Sequence, residues 1–332
     1  DMNKKWILNK RPIGYPKEQD FKLIESSVDE LDEGEILIES HYLSLDPYMR
    51  GRMNDSKSYA PSIKLGGVIT GEVVGKVVQS KSKLFNEGDY ATAHIGWQKY
   101  GKIDGASARK IDPELAPIST SLGILGMPGL TAYFGFLDVC SPKPGDTVVV
   151  SAASGAVGAI VGQIAKIMGC KVIGIAGSDV KTDYCLYELG FDNVINYKTD
   201  NILTKISEYA PSGVDIYFDN VGGEISDNVI SNLSIGARIA ICGQISLYNL
   251  EENEKGDRVG STLLINQASM IGFLVFQFKS RYQEGLSKLS QWLLDEKIKY
   301  KEDIVSGIEN APDTFIGMMK GKNFGKLLIK II

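Results

Sequence analysis

The sequence predicts an α/β fold that combines a doubly wound parallel sheet of the Rossmann type with a separate β-rich domain. Three observations support this prediction. The length of 332 residues exceeds one ordinary domain. The first third holds short apolar runs separated by glycines, and from about residue 144 strand patterns alternate with helix patterns. The apolar fraction of 43% and the charged fraction of 23% are those of a globular protein with large cores.

Residues 1 to about 120 are predicted to be β-rich. Apolar runs at 35–38, 68–78 and 90–94 are bounded by glycine turns. The run GGVITGEVVGKVV has a glycine at every fourth position, at Gly67, Gly71 and Gly75. Because glycine permits kinks and bulges, this pattern is typical of strands that bend around a small barrel.

The second part is predicted to form six strands with helices between them. The strands are rich in Val, Ile or Phe, as expected of a sheet covered on both faces, and lie at 147–153, 171–176, 193–197, 214–219, 237–242 and 270–275. Helices are predicted at 157–168, 181–189 and 281–296. A short helix at 311–320 and a strand at 325–331 follow, and their place after the last helix of the sheet hints at a return to the first domain.

The strongest local motif is a glycine-rich turn between the first of these strands and its helix, in the stretch TVVVSAASGAVGAIVGQIAK. Gly155, Ala156, Val157 and Gly158 keep this turn small, so that its backbone can approach a pyrophosphate closely. The helix N-terminus adds N–H groups and a favourable dipole for the anion. The motif therefore predicts dinucleotide binding, with a tight turn that binds no ligand as the alternative.

The end of the second strand indicates which nicotinamide nucleotide binds. An NAD site usually has an acidic residue here for the ribose hydroxyls, whereas this strand ends in Ile175-Ala176-Gly177-Ser178. Lys181 follows one turn later, in a position to pair with a 2′-phosphate. NADPH is therefore favoured. A shift of one residue would instead make Asp179 the ribose ligand.

Composition excludes several classes of partner and site. The net charge of −5, with both signs interspersed, predicts no nucleic-acid partner. No apolar run reaches the roughly 18 residues of a membrane span, and the start has no apolar signal core, so we expect a soluble cytoplasmic protein. The cysteines lack disulfide or metal spacing and are predicted to be free thiols; they are Cys140, Cys170, Cys185 and Cys242.

A catalytic zinc is not expected, because the β-rich region has no cysteine and only two histidines, His41 and His94. Without a Lewis acid, hydrogen bonds must stabilise an oxyanion. Reduction of an activated C=C bond suits such a site better than reduction of an unactivated ketone, since charge collects on the carbonyl oxygen as an enolate.

Several motifs resemble one known family, in chain order over essentially the whole sequence: LSLDPYMRGRM, GMPGLTAYFG, AASGAVG, YFDNVGGE, ICGQISLYN and GKNFGK. They are similar to the prostaglandin reductase/2-alkenal reductase branch of the medium-chain dehydrogenase/reductase superfamily. The resemblance implies a GroES-like catalytic domain over 1–122, a Rossmann NADP-binding domain over 123–297, and a C-terminal return to the catalytic domain over 298–332. It also implies a zinc-free enzyme, NADPH as hydride donor, and a homodimer.

The resemblance assigns roles to individual positions. Ser178, Lys181 and Tyr197 would surround the 2′-phosphate, and Tyr48 and Tyr248 would lie at the substrate end, where Tyr248 would orient the oxygen of an enone or enal. For Tyr48, packing beside the pocket is the alternative. The rest of the cofactor would be lined by Asn220, Cys242, Gly243, Phe273, Leu274, Val275 and Asn323. Residues 251–270 depart from the family pattern. A quinone reductase and a non-catalytic NADPH-binding protein remain as alternative functions.

Overall fold

The computed structural model of the chain describes residues 2–332. The strands of this part, in chain order, are β1 (Met2–Leu8), β2 (Phe21–Ser27), β3 (Glu35–Ser44), β4 (Val73–Ser80), β5 (Tyr90–Ala93), β6 (Tyr100–Asp104), β7 (Arg109–Ile111), β8 (Thr147–Ser151), β9 (Lys171–Ala176), β10 (Asn193–Asn196), β11 (Val214–Asp219), β12 (Leu233–Ile241), β13 (Ser269–Gly272), β14 (Glu302–Ser306) and β15 (Lys326–Lys330).

The α-helices of the described residues lie mostly in the second half of the chain. They are α1 (Met49–Arg52), α2 (Met127–Phe134), α3 (Gly158–Ile167), α4 (Asp179–Asp183), α5 (Ile202–Tyr209), α6 (Gly223–Ile230), α7 (Gly260–Asn266), α8 (Tyr282–Leu294) and α9 (Ala311–Met319). A π-helical turn continues α2 over Gly135–Val139 and α4 over Tyr184–Glu188.

The chain divides into two units. The first contains the described residues up to Gly123 together with Glu302–Asn323 and Leu327–Ile332. Its main sheet has the order β14-β15-β3-β4-β5-β7, with β6 on β3 and a separate β1–β2 pair. The pairs that β3, β4 and β5 make are antiparallel. The C-terminal strand belongs to this sheet because Leu328 of β15 pairs with Ser44 of β3.

The second unit comprises Ile124–Lys301 and Phe324–Lys326. It holds a parallel sheet of six strands in the order β10-β9-β8-β11-β12-β13. The chain therefore starts in the middle, at β8, runs to one edge and then crosses to the other, which is the Rossmann topology. Fully buried Val149, Ile173, Ile195 and Ile239 form part of its core. The predicted fold class, a parallel Rossmann-type sheet with an antiparallel N-terminal region, is confirmed.

Several elements differ from their predicted bounds, and β12 differs most, since it begins at Leu233 rather than at 237. Two of the differences have a local reason. The last parallel strand ends at Gly272 rather than at 275, because Leu274 begins a 3-10 turn in which its N–H donates to Gln277 Oε1 at 2.8 Å. The helix predicted from 181 begins at Asp179. Ser178 precedes it as the N-cap, and Ser178 Oγ accepts a hydrogen bond from the Lys181 N–H at 3.3 Å.

Candidate active site

Almost all residues predicted to bind the cofactor follow the carboxyl ends of the parallel strands. These ends meet at one edge of a doubly wound sheet, where such folds bind nucleotides. In strand order, Gly155 to Gly158 follow β8, Ser178 and Lys181 follow β9, Tyr197 follows β10, Asn220 follows β11, Cys242 and Gly243 follow β12, and Phe273 to Val275 follow β13. Of the other predicted site residues, Tyr248 also follows β12, and Tyr48 and Asn323 belong to the first unit.

The turn after β8 brings the start of α3 against the strand end. The Gly155 N–H donates to the Ala152 carbonyl oxygen at 3.0 Å, and Ala152 adopts a positive φ of 48°. A Cβ on Gly158 would lie 2.2 Å from the same oxygen, so only glycine allows this approach. Further along α3, a Cβ on Gly162 would lie 2.0 Å from the Phe191 ring. The two glycines thus let α3 pack closely on the turn after β8 and on the segment before β10, as the small residues of a dinucleotide-binding turn do.

The segment after β9 carries both residues predicted as alternative ribose contacts, Lys181 and Asp179. The Asp179 carboxylate accepts a hydrogen bond from Asn196 Nδ2 at 2.9 Å, and Asn196 is a buried residue at the end of β10. The Tyr197 side chain covers Gly177, since a Cβ on this glycine would lie 2.9 Å from the Tyr197 hydroxyl. Asp179 is thus held by a neighbouring strand, and Tyr197 lies beside the turn that carries Ser178.

Hydrogen bonds of both backbone and side chains tie the loops after β11 and β12 to the sheet. Asn220 donates from its backbone N–H to Ser151 Oγ at 2.9 Å and from its side chain to the Ser151 carbonyl oxygen at 2.8 Å. The N–H groups of Cys242 and Gly243 both donate to the Asp219 carbonyl oxygen. Burial raises the pKa of the Cys242 thiol to about 12. At neutral pH this side chain is therefore a thiol that can form a wall but cannot act as a thiolate nucleophile.

Tyr248 is fixed in the turn that follows β12. Its hydroxyl oxygen accepts a hydrogen bond from the Gln244 backbone N–H at 3.0 Å. A Cβ on Gly243 would lie 3.4 Å from this oxygen, so the hydroxyl lies over Gly243. The tyrosine predicted to orient a substrate oxygen therefore lies beside a residue predicted to contact the cofactor.

Phe273 follows β13, and its side chain packs into the second unit. Its ring is buried, packs edge-on against Phe218 at 6.0 Å between ring centroids, and occupies the space in which a Cβ on Gly135 would stand. The side chain is thus part of the core of the second unit. Any contact of Phe273 with a cofactor would have to come from its backbone.

Tyr48 lies in a charged environment within the first unit. The Arg52 guanidinium lies 5.4 Å from the centroid of its ring. Burial, with Asp46 and Glu72 adding to the effect, raises the pKa of Tyr48 well above its ordinary value, so the hydroxyl stays protonated and can donate. His94 Nε2 pairs with Glu72 Oε2 at 3.0 Å, and this hydrogen bond raises the pKa of His94.

Sequence reasoning missed two residues that organise this edge of the sheet, Asp219 and Gln244. The Asp219 carboxylate is buried at the end of β11 and accepts a hydrogen bond from Gln244 Nε2 at 3.0 Å. Both residues lie inside motifs that carry the family resemblance, YFDNVGGE and ICGQISLYN. An acidic residue at the carboxyl end of a buried parallel strand was the available signal.

Two further observations concern the whole described part of the chain. Across residues 2–332, no three His, Cys, Asp or Glu side chains are grouped in a way that could hold a metal ion. None of the helices formed by these residues has the length and apolar character needed to cross a membrane.

This fold and this site define a dinucleotide-dependent oxidoreductase of the medium-chain type. Residues 4–111 match the family model described as the N-terminal domain of oxidoreductase, and residues 156–291 match the one described as zinc-binding dehydrogenase. The chain is 43% identical to the NADPH-dependent curcumin reductase of Escherichia coli, over 99% of this chain and 97% of that protein. It is 44% identical to bovine prostaglandin reductase 1, over 98% of each.

Solved structures show the same similarity. The crystal structure of CurA from Vibrio vulnificus in complex with NADPH has a TM-score of 0.95 and 44% sequence identity, and the match covers 99% of both chains. The chain belongs to the prostaglandin reductase/2-alkenal reductase branch of the zinc-independent medium-chain dehydrogenase/reductase superfamily. The predicted family is thereby confirmed, as is the prediction that the protein is an oxidoreductase.

Proposed function

We propose that this protein uses NADPH to reduce the C=C bond of small α,β-unsaturated ketones and aldehydes. The observation that carries the proposal is the position of the Tyr248 hydroxyl, which the Gln244 N–H fixes beside Gly243 at the carboxyl ends of the parallel strands. A phenol held there can donate a hydrogen bond to a carbonyl oxygen on which charge develops. The names of the relatives, curcumin, prostaglandin and 2-alkenal reductases, support the same chemistry.

The residues present fit a nicotinamide dinucleotide with a 2′-phosphate. The Ala152 carbonyl oxygen, 2.2 Å from where a Cβ on Gly158 would stand, packs the start of α3 closely on the turn after β8. The N–H groups of this compact turn and helix start would receive the pyrophosphate. Ser178, Lys181 and Tyr197 would hold the 2′-phosphate. Asp179, the alternative ribose ligand, already binds Asn196. When bound, NADPH supplies the hydride.

The reaction balances with one hydride and one proton. The hydride adds to the β-carbon, the electron pair of the C=C bond moves to form an enolate, and a proton added at the α-carbon completes the product. Tyr248 would donate a hydrogen bond to the enolate oxygen during this step. Tyr48, in the first unit, is a protonated phenol that could donate to a substrate. A positioned donor of this kind contributes about 3–4 kcal/mol to lowering the barrier.

To test this proposal, the rate of NADPH oxidation is measured with a panel of enones, enals and quinones, and each measurement is repeated with NADH. Turnover of enones or enals with NADPH supports the proposal. Turnover confined to quinones would make the protein a quinone reductase, and NADPH binding without any turnover would make it a non-catalytic binding protein.

Lys181→Ala tests the cofactor assignment, with Lys205→Ala on α5 as a control that removes a charge elsewhere in the second unit. Loss of a charge-assisted contact costs about 1.5–3 kcal/mol, so the KM for NADPH should rise roughly tenfold or more. The KM for NADH should change little. Equal increases for both nucleotides would contradict the 2′-phosphate role.

The same proposal covers domain roles, assembly and location. The first unit would serve as the catalytic domain and the second as the cofactor domain.

A homodimer would form through β13, the last strand in the order of its sheet, near exposed Leu264, Ile265 and Phe276. Four free thiols support a reducing compartment such as the cytoplasm. Light scattering of the wild type and of Ile265→Lys tests the dimer, which should dissociate in the variant.

A further inference from the structure

The Asp219 carboxylate is an unusual feature of the second unit, because it is 2% exposed at the end of a core strand. Burying a carboxylate is costly unless hydrogen bonds replace its water. Here its two oxygens together accept five hydrogen bonds from neutral donors. The donors are the Tyr217 hydroxyl and the N–H groups of Val221 and Gly222 on Oδ1, and Ser226 Oγ and Gln244 Nε2 on Oδ2.

Gln244 connects this carboxylate to the proposed catalytic tyrosine. Its side-chain Nε2 donates to Asp219 Oδ2 at 3.0 Å and to the Gly243 carbonyl oxygen at 2.7 Å. Its backbone N–H donates to the Tyr248 hydroxyl oxygen at 3.0 Å. One residue therefore binds the buried carboxylate with its side chain and the phenol with its backbone.

The local backbone is built to admit this glutamine. Gly222 has a φ of 73°, and a Cβ on it would lie 2.3 Å from Gln244 Oε1. Any other residue at position 222 would therefore displace the glutamine side chain. Gly222 also donates its N–H to Asp219 Oδ1 at 2.9 Å, so the same turn binds the carboxylate and leaves room for its partner.

We infer that Asp219 and Gln244 are positioning residues for Tyr248, a role that rests on the function proposed above. With the Gln244 side chain anchored, its backbone N–H is held at the phenol oxygen. This hydrogen bond fixes the direction of the tyrosine hydroxyl and strengthens it as a donor, because hydrogen bonds in a chain polarise one another. Misplacing a catalytic group by about 1 Å can cost a hundredfold in rate, so the anchor governs turnover.

The test is a double-mutant cycle of Gln244→Met and Tyr248→Phe, measured with NADPH and the best enone substrate. Methionine preserves length and removes the amide. Gln244→Met should lower kcat roughly tenfold, with the KM for NADPH changed less than about threefold. In the Tyr248→Phe background the same substitution should cost less than about twofold, because the group through which it acts is gone.

Gln291→Met is the matched control, since Gln291 Nε2 also donates to an aspartate, Asp295, at 2.9 Å, but on the exposed face of α8. It should leave kcat unchanged in both backgrounds. Gln244→Asn serves as a second variant if Gln244→Met does not fold, since the shorter amide cannot reach Asp219, and it should show the same dependence on Tyr248.

The outcomes separate this inference from the proposed function. Wild-type turnover with equal losses from Gln244→Met in both backgrounds would overturn the inference alone, because a purely structural residue acts independently of Tyr248. A loss confined to NADPH affinity would overturn it as well. Absence of wild-type turnover would overturn the proposed function, and the inference with it.

Discussion

Gly158→Ala is the substitution whose effect follows most directly from the structure. The added Cβ would stand 2.2 Å from the Ala152 carbonyl oxygen, whereas real Cβ contacts essentially never fall below 3.0 Å. The atom it meets belongs to the backbone and cannot rotate away. Restoring a normal contact therefore requires the turn or the start of α3 to move by about 0.8 Å.

That displacement has a calculable effect on a bound pyrophosphate. An N–H that reaches a phosphate oxygen at about 2.9 Å would be left at about 3.7 Å, outside hydrogen-bonding range. Loss of one charge-assisted hydrogen bond costs about 1.5–3 kcal/mol. The Kd for NADPH should therefore rise roughly 10- to 100-fold.

The assay is NADPH titration of the folded variant, followed by nucleotide fluorescence, with Tm measured alongside. Gly260→Ala is the matched control, because a Cβ there meets nothing within 4 Å at the exposed start of α7. Gly155→Ala, whose Cβ would meet the same oxygen at 3.2 Å, should show an intermediate loss. A folded Gly158→Ala protein with wild-type affinity would refute the reasoning that this turn receives the pyrophosphate.

Two further predictions concern titratable side chains. Cys242→Ala should keep kcat within about threefold of the wild-type value, with no new pH dependence of kcat near neutrality. The reason is that a thiol with a pKa of about 12 contributes no thiolate at neutral pH. A large loss of kcat would show that the thiol takes part in the reaction. His94→Gln should lower the free energy of unfolding at pH 5.5 and leave it unchanged at pH 9. The pKa of His94 is higher in the folded protein than in the unfolded chain, because the imidazolium pairs with Glu72. This pair therefore stabilises the fold fully at a pH below the pKa of the unfolded chain, and its contribution is lost as the pH rises through the pKa of the folded protein. Because the imidazole is 54% exposed, the loss of unfolding free energy at pH 5.5 should stay below about 1 kcal/mol, measured by urea unfolding. An equal loss of unfolding free energy at both pH values would contradict this prediction.

The parallel sheet could be predicted closely from sequence. The bounds of β9 and β11 match the predicted ranges, because strands buried on both faces are continuous apolar runs with clear ends. The helix predicted after β8 is also present, since its apolar stripe and Gly169 mark its course and end. One limit that was missed depends on a single side chain, because Gln277 caps the turn that ends β13. The start of β12 was missed by four residues.

The partners of individual site residues could not be predicted, because they come from distant positions in the chain. Sequence left Lys181 and Asp179 as competing ribose contacts. The hydrogen bond between Asp179 and Asn196 joins residues 17 positions apart, the first residue of α4 and the last of β10, and no local pattern records it. The bond between Asp219 and Gln244 spans 25 positions in the same way. Sequence could identify the loops that carry the site but not which side chains within them bind each other.

The order of the strands predicts that cofactor affinity and turnover can be separated by mutation. The turn after β8, proposed to receive the pyrophosphate, is held by the approach of Gly158 to Ala152, and α3 packs on Phe191. Tyr248 follows β12, and its hydroxyl is bound by Gln244, whose side chain binds Asp219. Apart from the strand ends themselves, the two sets of contacts share no side chain. Substitutions in the first set should therefore raise the Kd for NADPH while saturating turnover is preserved, and those in the second should lower kcat while the Kd is preserved. If every substitution changed both the Kd for NADPH and kcat, the loops at this edge of the sheet would be structurally coupled. The hydrogen bond from Gln244 to Tyr248 would then not act on turnover independently of cofactor binding.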